Sequence, residues 1–440
     1  MSDYISKSRK VADSAEVFIL ENNQTMIKFE NGQLSAINED DSIGVALRVI
    51  KDKKLGFSST TRPESVDELV QRAINTVPYG ADANFDFAPK AEIKKVACFD
   101  AEIEKLKATK MIEFGEEIIE KVSSIGSEID TTCTIVKNIQ SIFLENTSDN
   151  KSKCRHTYFG IGVEGKITKE GNFTAFEEDS SGTHLMPDIE RICRNIKADY
   201  MLCKKNVPLK TGKYDVILEP RLSEDILRPI TAMMDGKNVE KKISPLYDKM
   251  SKQVFDSRLT VIDDPEAPGR TGTAPFDDEG VTAVKKPMIE KGVVKNFLHN
   301  LSSSAALKTK PLGNGHRIKP LLGGKTYVSM PMPSNNNLVI SPGTKTSDEL
   351  IKSIKSGVYI KNMMGTLLGH HVTGVVSGNL WLAYRIENGE LTGRVKDCMM
   401  TFNVLEVLKS HLVDLSSDTL WYGNHCSPYI HLKDILISSK

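Results

Sequence analysis

The feature that most restricts how this 440-residue chain can fold is a run of paired extended segments near its start. Val17-Phe18-Ile19-Leu20 is followed by Thr25 to Phe29 with alternating apolar side chains, then Asn31-Gly32, Leu34 to Ile37, and Ile43 to Ile50 with Val45, Leu47 and Val49 two apart. A period of two puts alternate side chains on opposite faces of a strand. Asn-Gly between such runs is hairpin-turn chemistry, because both residues tolerate positive φ. Asp52-Lys53-Lys54 then turns the chain into Leu55-Gly56-Phe57, so four or five antiparallel strands are predicted over Glu16–Thr60.

A helix follows at Ser65–Val77, with acids in its first turn where the helix dipole favours them, and Pro78–Pro89 is a surface loop. The same order then recurs. A helix at Ala108–Val122 with an apolar stripe through Met111, Ile112, Ile118 and Ile119 leads to two further hairpins, in Thr131–Asn146 and in His156–Glu178 around Glu170-Gly171, and to a helix at Met186–Cys203 closed by Pro208. Two passes of strands followed by helix predict an α+β region whose sheet carries helices on one face. Single cores stop growing at about 250–300 residues, so at least two domains are expected. The division placed here is 1–207, in segments of about 1–90 and 91–207, and 208–440. The second part reads as strand-dominated. It has a strand at Tyr214–Leu218, a helix at Ser223–Met234 that Pro229 should kink or shorten, and a hairpin over Val281–Asn300 turning at Glu290-Lys291-Gly292. An irregular cover at Met330–Pro342, a helix at Asp348–Ser356, a strand at Gly357–Asn362, a hairpin around Asn388-Gly389, a helix at Val404–Leu412 and a last strand at Tyr429–Ile437 complete it. A closed or nearly closed antiparallel sheet is the expected outcome.

Lys plus Arg equals Asp plus Glu at 58 each, which gives no basic excess for gripping nucleic acid. Seven cysteines stand singly without a CxxC pair, as expected for reduced thiols in a cytoplasm. No window of about 18 apolar residues occurs, and the opening MSDYISKSRK has no apolar run, so neither a membrane span nor a leader is expected.

Candidate chemistry is sparse. Asp277-Asp278-Glu279, between Phe276 and Gly280, is either a turn that caps its own backbone amides or a polar wall in a cleft. His370 and His371 follow a Gly-rich stretch; on a strand they would face opposite sides, leaving one free to enter a cleft. His425-Cys426 is the other place where soft ligands coincide, and a composite site of His370 or His371 with Cys426 would bind zinc. No GxSxG is present; Ser302-Ser303-Ser304 reads as a helix cap and Gly323-Gly324-Lys325 as an ordinary turn.

Several stretches carry a resemblance. TAPFDDEGV, PMIEKGVVKNFLHNL, Gly313-Asn314-Gly315, SPGTKTSDELIKSIKSGVYIKNMMG and GHHVTGVVSGNLWLAYRIENGEL resemble the C-terminal half of the TldD/PmbA family, once called modulators of DNA gyrase, and NGQLSAINEDDSIGVALRVI resembles its opening strands. The resemblance implies a cytoplasmic metalloprotease whose catalytic subunits hold zinc through an HExxxH helix, two histidines as ligands and the glutamate as general base. The corresponding helix follows Tyr214–Leu218, and in register with Asp235-Gly236 its three motif positions fall on Arg228, Pro229 and Met233. No HExxH or HExxxH occurs elsewhere. What the resemblance then implies is a PmbA/TldE-type subunit that holds no metal itself, pairs with a TldD-type zinc subunit and helps enclose unfolded peptide, with Asp277, Asp278, Glu279, His370 and His371 as candidate cavity-lining residues. The alternatives are an autonomous hydrolase using the His and Cys groups above, or a homodimeric peptide-binding protein.

Overall fold

A computed structural model describes residues 2–90, 92–169, 172–319, 326–366 and 371–439. The first half is built on a six-stranded antiparallel sheet. Its strands are β1 (Ser14–Glu30), β2 (Gln33–Lys51), β3 (Lys54–Thr60), β4 (Asp130–Asn146), β5 (Lys151–Lys169) and β6 (Asn172–Gly182), in the order β3-β2-β1-β4-β5-β6. The strands are longer and fewer than predicted. Glu16–Thr60 makes three strands, because the polar Glu21-Asn22-Asn23 stretch pairs with the equally polar Asp41-Ser42-Ile43 and no turn intervenes. Thr131–Asn146 is likewise one strand and not a hairpin; the expected Glu170-Gly171 turn lies outside the described residues. The Asn31-Gly32 turn is as expected, with φ of 51° and 70°.

The two faces of this sheet have different fates. Val17, Ile19, Val45, Leu47 and Val49 pack against the helix Val66–Thr76, while Ile27, Phe29, Cys133 and Ile135 pack against Ala108–Ile125 and Ile189–Cys203. Alternate residues Glu16, Phe18, Leu20, Gly44, Ala46 and Arg48 point the other way, toward the C-terminal half. Gly44 permits the closest approach there: a Cβ at this position would lie 2.1 Å from the Tyr327 ring.

In the second half the sheet closes. Strand 425–439 pairs with 212–218, 212–218 with 356–364, 356–364 with 375–387, 375–387 with 398–403, and 398–403 returns to 425–439. One of these five pairings, 212–218 with 356–364, is parallel. The helix Ser223–Met234 packs its apolar residues Ile226, Leu227, Ile230, Met233 and Met234 into the same core as Val216, Val358 and Leu432, and it runs through Pro229 without ending. The strands Val261–Asp263, Lys286–Glu290 and Leu338–Ile340 extend the sheet beyond the ring.

Three local expectations change. The hairpin over 281–300 shrinks to Lys286–Glu290 and Val293–Val294, because Val281 and Ala283 give their backbone N–H groups to Asp277 and Pro275 instead of a partner strand. The helix Leu301–Ala306 is capped by Asn300, whose side chain accepts from Ser303 N–H, so the serines lie inside it. Leu412–Tyr422 is a strand that the sequence pattern did not show. Among the described residues no helix is long and apolar enough to cross a membrane.

Candidate functional site

The acids Asp277, Asp278 and Glu279 lie where the two halves meet. Asp277 accepts the backbone N–H groups of Glu279 and Val281, both at 3.0 Å, and that of Gly315 at 2.7 Å, while Asp278 accepts from Arg317 N–H at 2.6 Å. Glu279 reaches across the junction. Its Oε1 accepts Arg48 Nη1 at 2.7 Å and its Oε2 the N–H of Leu301 at 2.6 Å. Arg48 also donates from Nε and Nη2 to Glu16 Oε1 at 3.0 and 2.7 Å. Burial alone would lower the Arg48 pKa; the two carboxylates outweigh it and raise it. Burial raises Glu16 against the opposing pull of Arg48, and raises Asp277 well above the usual carboxylate range with Glu279 adding to the effect. Arg317, buried over the Phe18 ring and beside Arg48, is pushed down to about 10. A second ionic cluster spans the junction at Lys361, whose Nζ lies 2.6 Å from both Glu178 and Asp199.

The helix Ser223–Met234, to which the resemblance assigns the zinc-motif positions, has a different inventory. Arg228 is ion-paired with Glu224 on the same helix and lies 3.9 Å from Asp225; Pro229 is buried and Met233 is fully enclosed in the core. His371 opens a short helical turn packed against this helix rather than a strand, and its Nδ1 is buried without a partner among the described residues; His370 lies outside the described residues, as does Gly323-Gly324-Lys325. Burial raises the Asp225 carboxyl, opposed by Thr366, Arg228 and His371. His425 faces the same region: burial lowers its pKa, Glu224 opposes and Arg228 adds to the lowering. Cys426, the next residue, faces away toward Thr419 and Arg270, so it does not join His371. Zinc needs three or four converging imidazole, thiolate or carboxylate groups. Among the described residues no three His, Cys, Asp or Glu side chains converge in this way. The residues at the motif positions do not fit the ion: a thioether in the core, an imino acid and a guanidinium whose fixed positive charge repels a second cation.

A cleft of about 700 Å³ opens elsewhere on the junction, between β6 with the start of helix 189–203 on one side and the 268–270 loop with strand 412–422 on the other. Asp277, Asp278, Glu279 and His371 are not among its lining residues. Arg270 and Trp421 are, with the guanidinium 4.5 Å from the indole centroid. Neither residue carries a sequence signal, since the cleft is assembled from three segments far apart in the chain, around residues 180–191, 268–270 and 419–421, and no local spacing records it. Arg48 is different: a lone cation within Val45-Ala46-Leu47-Arg48-Val49-Ile50 marks a buried charge that must find a partner.

The comparisons agree with this architecture. The profile described as PmbA/TldA metallopeptidase C-terminal domain matches residues 211–439, and PmbA/TldA metallopeptidase domain 1 matches residues 15–76. The Metalloprotease MJ0996 of Methanocaldococcus jannaschii is 26% identical over 421 residues, covering 92% of this chain and 90% of its own. A metalloprotease of Methanothermobacter thermautotrophicus is 24% identical over 392 residues, covering 87% and 84%. Among solved structures, TldE from Thermococcus kodakarensis superposes with a TM-score of 0.91 at 18% identity, covering 100% of both chains.

Proposed function

The chain belongs to the PmbA/TldD metallopeptidase family, and from that premise we propose that it is the companion subunit of a zinc-bearing TldD-type relative, contributing walls that enclose unfolded peptide while the partner holds the metal. The observation that carries this reading is the helix Ser223–Met234. The family's zinc ligands and general base correspond to Arg228, Pro229 and Met233, and none of these side chains can coordinate zinc or take a proton from bound water. The structural likeness to TldE supports the same assignment. Sheet edges support peptide handling, because main-chain hydrogen bonds accept an extended segment whatever its side chains. The seven cysteines, all present as free thiols, support a reducing, cytoplasmic setting, and the balanced charge speaks against direct contact with nucleic acid.

Assembly tests it. Mixed with a relative that carries HExxxH, the chain is expected to form a stable hetero-oligomer on size exclusion with light scattering, and the mixture to degrade an unfolded peptide faster than the relative alone. No complex at micromolar concentration, or unchanged turnover, would overturn the proposal.

A further inference from the structure

The cleft between β6 and strand 412–422 contains a cation without an anion. Arg270 lines it, its guanidinium 4.5 Å from the Trp421 ring centroid, and among the described residues that guanidinium has no hydrogen-bond or ion-pair partner. Burial lowers its pKa, with only the Cys426 thiol opposing, as expected for a partly desolvated charge lacking a carboxylate. The other arginine of the cleft is already engaged: Arg191 donates from Nε to Asp188 at 2.9 Å and from Nη1 to Glu178 at 3.0 Å. Asp188 is thereby held by Arg191 and leaves Arg270 free. The remaining walls are apolar at Met186, Leu420 and the Trp421 face. A volume of about 700 Å³ lies within the ordinary range for small-ligand pockets.

Both flanks of the cleft are sheet edges. β6 ends the six-stranded sheet, and among the described residues strand 412–422 forms a ladder only with 425–439, apart from a lone bridge between Ser416 and Lys345. Ser180–Gly182 and Thr419–Trp421 therefore border the cavity with backbone whose outer side has no strand beside it.

We propose that this cleft binds a terminal carboxylate carried on an apolar extended chain, Arg270 receiving the carboxylate through its planar fork while Met186, Leu420 and Trp421 enclose the adjoining side chain. The two sheet edges favour the C-terminal end of a peptide as the source; a free acyl amino acid presents the same chemistry. This deepens the peptide-handling reading and rests on it for the identity of the ligand, not for the anion site.

The test uses the full-length chain with Trp381→Phe, which leaves Trp421 as the sole tryptophan reporter. Fluorescence titrations compare an unstructured peptide ending in free leucine, the same peptide as its C-terminal amide, and N-acetyl-leucine. The free-acid peptide is expected to bind roughly 10- to 100-fold more tightly than the amide, the range for losing a hydrogen bond to a charged group. Arg270→Gln should bring the acid down to the amide's affinity and leave the amide unchanged, with Arg270→Lys between them. The acid-against-amide comparison is made on unaltered Arg270, so it stands even if a variant folds poorly. Equal affinity for acid and amide would overturn the carboxylate site while leaving peptide handling intact. Binding of N-acetyl-leucine that depends on Arg270, without binding of either peptide, would keep the site, assign it to free acids and count against peptide handling. No binding of any of the three would overturn the proposal.

Discussion

Arg48 on β2 donates to Glu279 across 231 residues of sequence, Nη1 to Oε1 at 2.7 Å, and both side chains are at most 2% exposed. The pair is a bolt between the N-terminal sheet and the loop that caps the C-terminal half. Two charges out of water are tolerable only while each has its partner. Removing Arg48 would leave Glu279 and Glu16 buried without their shared cation, at a cost of about 3–5 kcal/mol, whereas removing Glu279 still leaves Arg48 its two bonds to Glu16.

Glu279→Gln, which weakens the bonds to Arg48 and to the Leu301 N–H but leaves Arg48 paired with Glu16, is expected to lower unfolding free energy by about 1–3 kcal/mol in urea. Combined with Arg48→Met in a double-mutant cycle, the coupling should be at least ~1 kcal/mol. Additive losses would show that the two groups do not sense each other.

Gly44 makes the second contact of this junction. Because an added Cβ would sit 2.1 Å from the Tyr327 ring, Gly44→Ala should destabilise by about 1–3 kcal/mol, the usual cost of overpacking. Tyr327→Ala in the same chain should recover part of that loss, since the clash is with the ring. A Gly44→Ala protein with unchanged thermal midpoint would contradict the packing described.

Stability should also fall with acid between about pH 6.5 and pH 4. Burial holds His299, which is 7% exposed, and His156 as neutral imidazoles with pKa values of about 4 against an ordinary 6.5. The unfolded chain takes up these protons first. Stability is therefore complete above the unfolded value and is lost as pH falls through the folded one, by up to roughly 3 kcal/mol per group. His299→Gln should flatten its share of this slope in unfolding midpoints taken across the range; an unaltered slope would contradict the assignment.

Metal content is a further check on the helix Ser223–Met234. Incubated with zinc and then desalted, the chain should retain well under one equivalent by elemental analysis, because Arg228 brings a fixed positive charge where a ligand would be needed. One equivalent that resists desalting would mean that ligands gather from elsewhere.

Much of the fold was legible because its signals are local. Asn31-Gly32 and Asn388-Gly389 announce their turns through residues that accept positive φ, and both are found with it. The errors arose where local polarity imitates a turn. Glu21-Asn22-Asn23 reads as a break, yet it continues β1 because the facing stretch of β2 is equally polar and both look to solvent. Ser416-Ser417-Asp418 hides strand 412–422 in the same way; the register shifts between Leu415 and Thr419, and the strand resumes. The pairs that define the candidate sites are of another kind. Arg270 with Trp421 and Lys361 with Glu178 join segments that only the folded chain brings together, so periodicity and motif spacing carry no trace of them. The three acids at 277–279 stood out in the sequence for good reason, but Asp277 and Glu279 are spent on capping turns and binding Arg48.

Whether this chain supplies a catalytic metal site is read out by proteolysis. An unfolded peptide is incubated with the isolated chain plus zinc, and in parallel with the chain and an HExxxH-bearing relative, each with and without a chelator. No cleavage is expected from the isolated chain and chelator-sensitive cleavage from the pair; chelator-sensitive cleavage by the isolated chain would overturn its assignment as the companion subunit.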